Sequence, residues 1–223
     1  MNILFYDTET TGFANRSRPL NHPSQPYATQ LGYIYEEDQK IIETQDSLIK
    51  PFSPDFEINP KAQEITGITK EMCEEQGLPL ADIMGGYDQK MGFIECAKRA
   101  DFFVAHNAEF DERIVTIQMA RLFPDLDPEE VFQGKPHICT MKPLTFVCKI
   151  PKKDKRTGWK WPKLEEAYEH FFGEKLEGAH DAMVDIMATR RLFDHCFDLG
   201  IWDKSMKAAG LERFLGEPPV VGK

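Results

Sequence analysis

The chain has 223 residues, 41% of them hydrophobic and 29% charged, with a formal net charge of −10. That size and balance suit one compact domain with its own core, and they exclude a disordered tail, a bilayer-spanning protein and a protein that coats nucleic acid through uniform basic charge. The five cysteines form no Cys-x-x-Cys pair and are odd in number, so reduced, mostly buried thiols in a soluble cytoplasmic protein are expected.

Residues 2–9 form an apolar run rich in aromatic and branched side chains, broken by Thr10, Thr11 and Gly12; this reads as a buried strand leaving into a loop. Residues 13–27 hold too much Pro, Asn and Ser for a regular element and predict a long surface loop. Residues 28–36 and 40–50 read as two further strands joined by a tight turn, hence an antiparallel hairpin. Asn59-Pro60 predicts a helix start and Gly67 its stop, while Thr69 caps another helix. A helix with a break at Gly85-Gly86 is expected over 80–99, then a short strand over 101–106 and a helix over 110–123 closed by Pro124. Ile138, Cys139 and Thr140 suggest a fifth strand. Trp161, Leu164, Tyr168 and Phe171 recur at helical spacing, and residues 181–198 describe an amphipathic helix. The tail from Leu211 ends in Pro and Gly and is expected to fray.

Three clusters of acids stand at element ends. Asp7 and Glu9 lie two apart at the end of the first strand, so in extended chain both leave the same face. Their repulsion is relieved by protonation, by a basic neighbour or by a divalent cation between them; acids also stop strands in plain solvent, so the pair alone decides nothing. Asp111 falls in a first helical turn, where the helix dipole favours an acid without any function. His180 and Asp185 are five residues apart, about 500° of helix, so they converge only if His180 lies in a loop just before the helix. A neutral histidine there is a base.

In order along the chain, Asp7-Thr8-Glu9-Thr10-Thr11-Gly12, residues 107–111 (NAEFD) and residues 180–185 (HDAMVD) resemble the three exonuclease motifs of the DEDDh superfamily, the group of polymerase proofreading subunits, exonuclease I, RNase T and oligoribonuclease. Ile65-Thr66-Gly67-Ile68-Thr69 is similar to a helix-turn of the same family. The resemblance spans about residues 3–195 and implies an RNase H-like α/β fold, with a mixed five-stranded sheet and helices on both faces. It implies an exonuclease domain over 1–200 and a C-terminal tail over 201–223. It also implies a metal-dependent 3′–5′ exonuclease that hydrolyses phosphodiesters at 3′ ends and releases nucleoside 5′-monophosphates. By resemblance, Asp7, Glu9, Asp111 and Asp185 hold two Mg2+ or Mn2+ ions and His180 takes the proton of the attacking water. Four carboxylates at one spot need cations to stay ionised, and all-oxygen ligation favours such hard ions. The family further suggests that the backbone at Thr10 and Thr11 lies against the terminal nucleotide and that Asn107 positions it. The proline-rich loop over 13–27 resembles exonuclease I more than the compact proofreading subunits.

Residues 149–163 hold seven lysines or arginines against the single Asp154. Lys152, Lys153, Lys155, Arg156 and Trp159 there suit a single strand, with cations on phosphates and an aromatic face on a base; the plainer alternative is a solvated loop whose tryptophans enter the core, which is the place expected for Trp161. The expected substrate is a nucleic acid 3′ end, single-stranded DNA before RNA, with a DNA polymerase or a replication or repair complex as a further partner and no membrane. An RNA-trimming enzyme and a non-catalytic accessory module remain the alternatives.

Overall fold

A computed structural model of the chain describes residues 1–132, 134–152 and 157–215. The sheet begins with β1 (Asn2–Thr10), β2 (Ala28–Glu37) and β3 (Lys40–Leu48), paired antiparallel in sequence order. Two short helices follow, α1 (Pro60–Thr66) and α2 (Lys70–Gln76), and the Asn59 and Thr69 side chains cap them as their residue types dictate. Next come α3 (Leu80–Gly85), the small hairpin β4 (Gly86–Tyr87) and β5 (Lys90–Met91), and α4 (Phe93–Arg99). The break expected at Gly85-Gly86 is therefore a complete turn-back.

β6 (Phe102–Ala105) lies parallel to β1 and leads into α5 (Ala108–Leu122) and α6 (Pro128–Phe132). β7 (His137–Cys139) runs parallel to β6 and is followed by α7 (Met141–Cys148), α8 (Leu164–Phe172), α9 (Ala182–Asp198) and α10 (Asp203–Ala208). The five-stranded sheet has the order β3-β2-β1-β6-β7. Its antiparallel half precedes its parallel half, as expected.

The alternation of β1 divides the core into two layers. Leu4 and Tyr6 enter the layer shared with Ile83, Phe93, Ile114 and Met119 of α3, α4 and α5. Ile3 and Phe5 enter the opposite layer, with Leu164, Ile186, Leu192 and Phe193 of α8 and α9. Each such fully buried side chain contributes roughly 1.5–3 kcal/mol, so β1 is clamped from both sides and its end is a fixed point.

The fraying expected from Leu211 is not what the structure shows through residue 215. Trp202 stacks on Phe193 with ring centres 5.9 Å apart and donates its indole N–H to the Phe193 carbonyl at 2.8 Å. Met206 and Leu211 are buried in the same layer, and Phe214 packs on Phe102. Among the described residues no helix is long and apolar enough to cross a membrane.

Candidate active site

β1 delivers two acids to one spot. The alternation that sends Ile3 and Phe5 toward α9 continues to Asp7 and Glu9, and the β1–β2 register slips between Glu9 and Thr10, a bulge where the strand ends. Thr8, between the two acids, donates its backbone N–H and its hydroxyl to Asp111 Oδ1 at 3.0 and 2.8 Å. Asp111 lies in the first turn of α5 and is buried, so Thr8 fixes the third acid against the first two.

The fourth acid arrives on α9. Gly32 pairs with Asp7 across β1 and β2, and a Cβ on it would stand 2.7 Å from Ile186 Cδ1 and 3.1 Å from Ala182 Cβ. A side chain there would have to displace the Ile186 tip and crowd Ala182, so the glycine lets α9 lie close against the sheet. Asp181 caps the helix, accepting from the N–H groups of Met183 and Val184 at 3.1 Å, and Asp185 lies in the first turn. His180 precedes the cap in the left-handed region, with φ at 72°, and its backbone N–H donates to Asp185 Oδ2 at 3.3 Å. This is the loop placement expected for His180: one ligand atom each from Glu9, His180 and Asp185 lies within 4.8 Å of the others. Asn107, the N-cap of α5, is left-handed too, with φ at 71°. Such backbone in non-glycine residues costs about 1–3 kcal/mol and gathers at functional sites.

The nest is electrostatically frustrated. Burial, then the charges of Asp111, Asp185 and Glu9, push Asp7 well above the usual carboxylate range. Burial is also the largest cause for the other three, raising Glu9 to about 8 and Asp111 and Asp185 to about 7. The Thr8 hydrogen bonds oppose the rise at Asp111, and the His180 N–H opposes it at Asp185. Asp185 Oδ1 is buried with no hydrogen-bond partner. An acceptor-only oxygen left open beside three further carboxylates fits a hard divalent cation, which would supply the missing positive charge. All four acids, with His180, line a single cavity of about 540 Å³.

The RNase_T family model, described as Exonuclease, matches residues 4–193. The chain belongs to this family of DEDDh 3′–5′ exonucleases. A PolC-type DNA polymerase III of Thermotoga petrophila is 30% identical over 120 residues, covering 54% of the chain and 7% of the polymerase. Its counterpart in Thermotoga maritima is 30% identical over 148 residues, covering 66% and 9%. Among solved structures, E. coli exonuclease I in complex with a dT13 oligonucleotide superposes with a TM-score of 0.67 at 19% identity, covering 95% of this chain and 44% of that one. A moderately thermophilic exonuclease I from Methylocaldum szegediense gives 0.65 at 22%, covering 96% and 45%. The chain thus spans under half of these exonucleases and under a tenth of the polymerases.

Seen as an exonuclease domain, the cavity separates the expected substrate residues. Asn107 and Thr10 line it, and Thr10 Oγ1 donates to the Gly12 carbonyl at 2.8 Å. Thr11 does not: its N–H donates to Tyr27 O, its carbonyl accepts from Asn59 N–H, and its hydroxyl accepts from Tyr27 N–H. These three bonds tie Thr11 to Tyr27 and Asn59 and hold the loop shut at its base. Lys152 and Trp159 are exposed and lie outside the cavity lining, while Lys153, Lys155 and Arg156 lie outside the described residues. Trp161, expected in the core, is exposed; α8 starts three residues later, and its buried contacts begin with Leu164 and Ala167. Sequence reasoning passed over the apolar wall of the cavity, made by Phe13, Phe110 and Ile65. Phe13 and Phe110 meet edge to face at 6.3 Å. An apolar residue in a polar, proline-rich loop was the available signal.

Proposed function

We propose that this chain is a divalent-cation-dependent 3′–5′ exonuclease acting on single-stranded DNA and releasing nucleoside 5′-monophosphates. The observation that carries the reading is the convergence of Asp7, Glu9, Asp111, Asp185 and His180 on one cavity, with Asp185 Oδ1 buried and unpartnered. Asp7, Glu9, Asp111 and Asp185 would hold two Mg2+ or Mn2+ ions. Such ions, when bound, offset phosphate charge and acidify the attacking water.

The chain's own groups do the rest. His180 accepts the water's proton, and its backbone tie to Asp185 holds it at the nest. Thr8 keeps Asp111 in place. The wall of Phe13, Phe110 and Ile65 takes the terminal base and sugar, and Asn107 orients them, which favours an unpaired end that enters the cavity alone. The cavity volume is in the range of small-ligand sites. Lys152, Lys153, Lys155, Arg156 and Trp159 guide the strand inward; reversing the charge of the four cations raises KM, and more so at low salt. The likeness to a dT13-bound exonuclease I and to PolC-type polymerases supports DNA as substrate and a DNA polymerase or a replication or repair complex as partner.

The test is incubation of 3′-labelled single-stranded DNA and its RNA counterpart with Mg2+, then with chelator. Chelator-sensitive mononucleotide release from DNA is expected. Faster release from RNA reassigns the chain to RNA trimming, and no release from either makes it a nucleic-acid-binding accessory module.

A further inference from the structure

The segment after β7 leaves the acid nest and returns to it. At its start, Lys142 of α7 donates to Glu109 Oε1 at 2.6 Å, and Glu109 stands in the first turn of α5 beside the cavity residue Phe110. At its end, the Pro162 carbonyl lies 3.1 Å from His106 Nε2, and Thr140 Oγ1 lies 2.9 Å from His106 Nδ1. Burial pushes His106 down to about 4, so the ring is neutral; Nε2–H donates to the carbonyl and Nδ1 accepts from the hydroxyl. His106 also lines the cavity. The described stretches 142–152 and 157–162 are therefore pinned beside the nest, the first at its start and the second at its end, and they meet where Lys160 N–H donates to Ile150 O at 2.9 Å and Trp159 pairs with Pro151.

The outward side of this segment is aromatic. Phe146 is 72% exposed, Trp161 62% and Trp159 41%. Lys142 and Phe146 stand four residues apart on one face of α7, and the exposed Lys149 follows as its left-handed C-cap. Lys160 and Lys163 are drawn to Glu166 and Glu165 of α8, whereas among the described residues no carboxylate pairs with Lys149 or Lys152. Flat apolar faces interleaved with unpaired cations match an unpaired nucleic acid strand, whose bases stack and whose phosphates seek positive charge. A duplex hides its base faces, and an apolar protein surface has no use for the lysines.

The geometry points to a single-strand track in which Phe146 and Trp161 stack nucleotides lying 5′ to the scissile end, so that substrate length sets affinity. This rests on the nuclease reading above. Release from a twenty-nucleotide oligothymidylate and from a trinucleotide is measured with Mg2+ for the wild type, Phe146→Ala, Trp161→Ala and Trp161→Phe. In each alanine variant KM for the long substrate rises about tenfold, kcat and the trinucleotide KM stay put, and Trp161→Phe behaves as wild type. An unchanged long-substrate KM, or an equal rise for both lengths, overturns the track and leaves the patch to a protein partner. In chelator, titration with the long oligonucleotide quenches the fluorescence of Trp159 and Trp161 and spares buried Trp202. Quenching without turnover keeps the track and sinks the nuclease; turnover without quenching does the reverse.

Discussion

In the loop of residues 13–27, polar groups are answered from within the chain, while the nest that this loop borders is answered only in part. Gln25 accepts from Asn15 N–H and donates to the carbonyls of Asn15, Arg18 and Pro19 at 2.9–3.1 Å. Arg121, near the end of α5, donates to the carbonyls of His22, Pro23, Gln25 and Pro26 and lies 4.0 Å over the Tyr27 ring. Asp185 Oδ1 has no partner, and each acid beside it is raised by burial and by its neighbours' charge. A self-satisfied frame next to an unsatisfied centre is the arrangement expected where an outside ligand completes the structure.

The comparison breaks most completely at Asp7. Asp7→Asn takes away a carboxylate that cations need, so nucleotide release falls by more than ~10³, while the metal-free protein melts higher than wild type, because the cost of burying an ionisable carboxyl among other acids has gone. A lower melting temperature in chelator would mean that the nest is not frustrated. Next in size is His180→Ala, which lowers kcat by about 10²–10⁴ if the imidazole is the base. Stabilisation by Mg2+ in a thermal melt persists in that variant, since the four carboxylates remain. Loss of that stabilisation would make His180 a ligand rather than a base.

The fold was legible because caps and periodicities are local and β1 alternates strictly, so pattern and packing agree. Asp7, Glu9, Asp111, His180 and Asp185 were ambiguous one cluster at a time, and only the resemblance of three ordered motifs named them together. α7 escaped notice because Met141, Leu144, Thr145 and Val147 mix apolar and β-branched residues with Pro143 in the first turn, where proline does no harm. Trp161 and Trp202 show the limit plainly. One extends a helical stripe yet is exposed; the other sits in an apparent tail yet is fully buried. Which tryptophan is covered depends on Phe193, Cys196 and Met206 reaching it through the tertiary fold, and no local window contains that information.

Smaller effects separate nest from frame by pH. Because Glu9, Asp111 and Asp185 are raised toward 7–8 in the folded chain, the native state binds more protons than the unfolded state between about pH 4 and 8. Stability in chelator therefore falls as pH rises through that window, by a few kcal/mol in total. Saturating Mg2+ reverses the slope, since cations bind the ionised acids. Parallel thermal melts in chelator and Mg2+ across this range check the sign.

The smallest expected effect belongs to the frame. Arg121→Ala takes charge-assisted hydrogen bonds from carbonyls that water partly recovers, so it destabilises by about 2 kcal/mol. Unlike the nest, the loss is independent of Mg2+. Arg121→Lys recovers little, because one ammonium cannot meet the spread of carbonyls that a planar guanidinium spans. The loop so loosened still carries Phe13 to the cavity wall, and a mobile wall weakens substrate binding before it touches the acids. KM for the DNA end therefore rises severalfold with kcat intact. A fall in kcat at constant KM would show instead that the frame and the nest are one mechanical unit, and the contrast between them would fail.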